Sequence, residues 1–100
     1  MVQSWNDPMK GVEVRQAAFG NEATVVYNGL LPRSGADQIY LHCGFGDPQN
    51  WRNVTTQKMD RAPVGWEKTI RMSDQSAAFC FKDSAGNWDN NNGYNWIVRS

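Results

Sequence analysis

Apolar and polar residues alternate along Ile39 to Cys43, with Ile39, Leu41 and Cys43 on one side and Tyr40 and His42 on the other. Successive side chains of a strand point to opposite faces, so this segment predicts a half-buried strand with His42 looking outward. The same pattern covers Ala77 to Lys82, where Ala77, Phe79 and Phe81 form the apolar face and Ala78, Cys80 and Lys82 the other. Strands rich in β-branched and aromatic residues are predicted over Val12 to Arg15, Ala23 to Tyr27, Trp66 to Met72 and Trp96 to Arg99. In the third of these, Lys68 shares a face with Trp66, Ile70 and Met72, which fits an edge strand.

Turn formers fill the intervals Asn28 to Asp37, Gly44 to Gln57, Arg61 to Gly65 and Asp83 to Asn95, and no amphipathic helix stands out. Six or more short strands in 100 residues predict an all-β fold, a single small antiparallel β-sandwich of the immunoglobulin-like kind, over residues 11–100. Residues 1–10, despite Trp5, are expected to be a flexible N-terminal segment.

Composition removes several function classes. Lys plus Arg and Asp plus Glu number 10 each, for a formal charge of zero, and no basic run is visible, so nucleic acid is not an expected partner. No apolar stretch approaches the ~20 residues of a membrane span, and Met1 to Lys10 has no signal-peptide apolar region. Cys43 and Cys80 lie on opposite faces by alternation and are expected to be free thiols, which permits a reducing compartment.

The five tryptophans divide by context. Trp66 and Trp96 sit in strands and are expected to pack in the core. Trp51 follows the polar turn-rich run Gly44 to Asn50, and Trp88 stands in Asn87 to Gly93. Both are expected on exposed loops, each within the string Asn-Trp-x-Asn. Exposed indoles beside amides suit a partner with both apolar faces and hydroxyls, as sugars have. The lone His42 precedes the Trp51 loop, and a neutral imidazole offers one donor and one acceptor to adjacent hydroxyls.

Tyr40-Leu41-His42-Cys43-Gly44-Phe45, Trp51, Met59, Gly65-Trp66, Phe79-Cys80-Phe81-Lys82-Asp83 and Gly86 to Gly93 together resemble family 25 of the carbohydrate-binding modules, to which family 53 is similar. The resemblance runs from Ala23 to Val98. It implies a β-sandwich that binds α-glucan such as starch, glycogen or maltooligosaccharide without catalysis or cofactor, as a monomer working with an amylolytic enzyme. It places the stacking tryptophans at Trp51 and Trp88, the histidine at His42, and polar site residues at Asp89, Asn90 and Asn91. Most proteins of this kind are extracellular, whereas two free thiols and no signal peptide also fit the cytoplasm. Met1 to Glu22, with Trp5 and Phe19, precedes the resemblance as an extra strand or a linker.

Other classes fit less well. Asp83 and Asp89 could form a hydrolytic carboxylate pair, but both fall in one segment of a small sandwich. No Ser/His/Asp set or metal-ligand cluster is apparent. The Asp/Asn run lacks the spacing of an EF-hand, leaving only an irregular calcium site. A protein-interaction sandwich using Trp51 and Trp88 as hot spots is the alternative reading.

Overall fold

In the computed structural model, which describes residues 2–18 and 20–100, two antiparallel sheets pack face to face. Met1 and Phe19 lie outside the described residues. The elements run β1 (Trp5–Asp7), β2 (Val12–Gln16), β3 (Glu22–Tyr27), α1 (Leu30–Arg33), β4 (Ile39–Phe45), β5 (Arg52–Lys58), β6 (Asp60–Ala62), β7 (Gly65–Arg71), β8 (Ser76–Asp83), β9 (Trp88–Asp89) and β10 (Trp96–Arg99). The first sheet has the order β1-β2-β3-β7-β6 and the second β10-β8-β4-β5, with β9 pairing β8.

The core lies between the sheets. Val12, Val14, Val25, Tyr27, Trp66 and Ile70 from the first sheet meet Leu41, Cys43, Phe79, Phe81, Trp96 and Val98 from the second, all buried. Each large side chain so buried contributes about 1.5–3 kcal/mol against the entropy of ordering the chain. Cys43 faces this core, Cys80 faces the opposite way, and both thiols are free. Burial pushes the Cys43 thiol up to about 12.

Several segments depart from expectation, among them β6, which runs into the interval read as the Arg61 to Gly65 turn. Within residues 2–10, the part up to Asp7 packs against the sandwich, while Pro8 to Lys10 are exposed: β1 pairs β2, Val2 is buried, and Trp5 stacks on Phe79 and donates from Nε1 to the Ile97 carbonyl at 3.1 Å. The interval Asn28 to Asp37 holds the single helical turn α1, whose Pro32 sits where a backbone N–H would have no partner within the helix. The long loop after Gly44 contains β5, whose every residue is exposed, so it overhangs the core and shows no apolar alternation. Strand β9 lies inside the polar run read as loop. Strand β7 is not the edge strand expected, since it lies between β3 and the short β6; β6 pairs it only over Gly65 to Glu67, so Lys68 has one open side and remains half-buried.

Candidate functional site

The outer face of the second sheet collects the aromatic residues singled out above. Strand β9 pairs Trp88 with Lys82 and Asp89 with Phe81. Alternation therefore sends Trp88 outward beside Lys82 and Asp89 inward beside Phe81. Trp88 is 48% exposed. The Nζ of Lys82 sits 5.8 Å from the Trp88 ring centroid and 5.1 Å from that of Tyr40, so one ammonium contacts two aromatic faces.

Trp51 is placed by the β4–β5 hairpin. The pairing register shifts between Cys43 and Phe45, and Gly44 stands at that irregularity. A Cβ at position 44 would fall 2.5 Å from Trp51 Cβ and 2.7 Å from Cε3, so the indole rests directly on the glycine. The indole Nε1 donates to the Pro48 carbonyl at 2.8 Å, and Asp47 Oδ1 accepts from the Gln49 backbone N–H at 2.9 Å. These bonds fix the ring's edge to its own loop and leave it half-buried.

His42 stands between the two indoles. Its ring centroid is 5.7 Å from Trp51 at an interplanar angle of 38°, and 5.3 Å from Trp88 at 85°. The two indole planes thus differ by no less than the gap between 38° and 85°, and the platform is bent. Nδ1 of His42 lies 2.7 Å from Thr56 Oγ1 across the β4–β5 pair, leaving Nε2 for a ligand. Desolvation, followed by the nearby Lys82 charge, holds the imidazole below its ordinary pKa and favours the neutral ring. Cys80 pairs with His42 and lies beneath these rings, 4% exposed. Burial, with a smaller effect from Asp89, pushes its thiol up to about 11.

The remaining three expected site residues turn toward the protein's own groups. Asp89 Oδ2 accepts from the Tyr27 hydroxyl at 2.6 Å, while the same hydroxyl accepts from the Leu31 backbone N–H at 3.1 Å. Burial first and this carboxylate second raise the Tyr27 phenol well above its ordinary value. Asn90 Oδ1 accepts from the Gly93 N–H at 3.0 Å, and Asn91 Nδ2 donates to the Asn95 carbonyl at 3.0 Å. Asn91, Asn92 and Asn95 take positive φ values of 58°, 55° and 57°, the conformation that Asn tolerates best after Gly. Asp83 accepts from the backbone N–H groups of Ala85 and Asn87 and from Asn87 Nδ2, with the Asn87 bonds foremost in holding its carboxyl below the usual range. Among the described residues no cluster of three or more His, Cys, Asp or Glu could hold a metal ion.

Two antiparallel sheets, one of which carries Trp51, His42 and Trp88 on its outer face, form a small β-sandwich module. The family model described as starch/carbohydrate-binding module (family 53) matches residues 23–81, and the chain belongs to that family. This is the family given above as similar to family 25. The matched span holds His42, Gly44 and Trp51 and ends before Trp88. Comparisons with curated proteins and with solved structures return no match.

Proposed function

We propose that the outer face of the second sheet binds α-glucan chains of starch, glycogen or maltooligosaccharide without catalysis, through Trp51, Trp88 and His42. The observation that carries this reading is the bend between the indoles on either side of His42. An α-linked glucan curves, so successive rings present their C–H faces at an angle, whereas a β-linked glucan is nearly flat. Each indole removes apolar sugar surface from water at about 25 cal/mol per Å², and Nε2 of His42 meets a hydroxyl between them. Ordering of the glucan and desolvation of its hydroxyls offset much of the gain, so one module binds modestly. Asp89, Asn90 and Asn91 serve the site by shaping the segment that bears Trp88. A module of this kind works beside an amylolytic enzyme, keeping it on its polymer, and linkage to further modules raises avidity.

The test is migration in native gels containing starch, glycogen or a soluble cellulose derivative. Retardation is expected in the first two alone, and Trp51→Ala and Trp88→Ala each weaken it while the protein stays folded. Equal mobility in all three gels would rule out the sugar and leave a polypeptide as the partner of the same aromatics.

A further inference from the structure

Next to the platform on the same face is a cavity of about 220 Å³ lined by Pro48, Gln49, Ala78, Tyr94, Asn95 and Ile97, among others. Ala78 is the register partner of Gly44, the residue on which Trp51 rests. The wall at Pro48 is the segment whose carbonyl holds the Trp51 indole. Platform and cavity are therefore one continuous surface. Tyr94 is 81% exposed, the most exposed ring of the described residues, although the turn carrying it is held by hydrogen bonds from the N–H groups of Tyr94 to Asn91 and of Asn95 to Asn90. A rigid turn that presents an aromatic ring to water gains nothing in folding from that ring.

Resting on the glucan reading above, we infer that this cavity is an additional glucose subsite, with Tyr94 as its stacking ring and the amides of Gln49 and Asn95 as its hydroxyl partners. Its volume lies below the ~300–1,000 Å³ of drug-sized sites, which suits a single pyranose rather than a chain segment. An aromatic ring and amide side chains among the residues of one cavity supply both kinds of contact a sugar needs. The subsite engages a glucose unit beyond those on Trp51 and Trp88, so it reads chain length.

Isothermal titration of the full chain with maltotriose and with maltoheptaose tests this. The native protein is expected to bind maltoheptaose more tightly. Tyr94→Ala should leave maltotriose affinity unchanged and weaken maltoheptaose about two- to tenfold, while Tyr94→Phe keeps most of the advantage. Gln49→Ala, at another residue lining the cavity, should act in the same direction, and thermal unfolding checks that each variant is folded. Unchanged maltoheptaose affinity in Tyr94→Ala, or an equal loss for both sugars, overturns the subsite while leaving the platform standing. If neither sugar binds the native protein, the platform reading fails and takes the subsite with it.

Discussion

Gly44→Ala tests whether the indole of Trp51 is held in place by the absence of a side chain beneath it. The added methyl would meet Trp51 Cβ at 2.5 Å, Cε3 at 2.7 Å and Cδ2 at 2.9 Å. Carbon atoms pack at ~3.5–4.0 Å, so the ring must rise by about 1 Å. Rotation about the side-chain bonds cannot relieve the contact, because the nearest atom is Cβ itself and moves only with the backbone. Overpacking of this kind costs about 1–3 kcal/mol of stability. The lost stacking contact is worth about 0.5–1.5 kcal/mol, which corresponds to a loss of affinity from about twofold to about tenfold. Titration calorimetry with maltoheptaose, paired with thermal unfolding, separates the two effects. In a Trp51→Ala background the stack is already absent, so adding Gly44→Ala should weaken binding no further. Native affinity in folded Gly44→Ala, or an additive loss in the double variant, would refute the reasoning.

Other consequences follow from the same contacts. Asp89→Ala strips the buried Tyr27 hydroxyl of its carboxylate acceptor and should cost about 1–3 kcal/mol in thermal unfolding, with starch retention of the folded protein weakened because the segment bearing Trp88 loses its anchor; an unchanged melt would count against that bond. Because desolvation and Lys82 depress the His42 pKa, maltoheptaose affinity should be flat from neutral pH down to the ordinary histidine value of about 6.5 and fall only below it. The unfolded chain takes up this proton first, so stability tied to His42 is complete above that value and is lost as the pH falls through the folded one; affinity that rises on acidification would exclude the neutral ring. Cys43 and Cys80, with thiols pushed up to about 12 and about 11, should resist a disulfide reagent at neutral pH and react on denaturation; rapid labelling of either native thiol would contradict their burial.

The legibility of this chain follows its burial. Ile39 to Cys43 and Ala77 to Lys82 read correctly because each has one face in the core, and the alternation that burial imposes is visible in the residues. The same alternation placed Cys43 and Cys80 on opposite faces. Strand β5 left no such trace, since Arg52 to Lys58 are exposed and are ordered only by pairing with β4. At Trp5 a hydrophobic residue in a polar neighbourhood was the available signal, but its partners Phe79 and Ile97 lie far along the chain. His42, Trp51 and Trp88 were readable as outward aromatics, and the structure brings each indole within 5.7 Å of the His42 ring. The inward turn of Asp89 was not readable, because it depends on two residues of β9 pairing with β8. Gly44 could have been suspected from its position inside a strand pattern, which marks close approach of other atoms.

Tyr27 belongs to the first sheet, yet its ring stacks on Phe81 of the second with centroids 3.8 Å apart, and its hydroxyl grips the residue next to Trp88. The angle of one half of the platform is thereby set from the interior of the protein. Substitutions around Tyr27, out of reach of any ligand on the outer face, would re-aim Trp88, and on the proposed glucan reading the preferred helical pitch becomes a property adjustable from the core. Drift in specificity among proteins built on this plan should accordingly leave marks at interior positions as well as on the surface proposed to meet the carbohydrate.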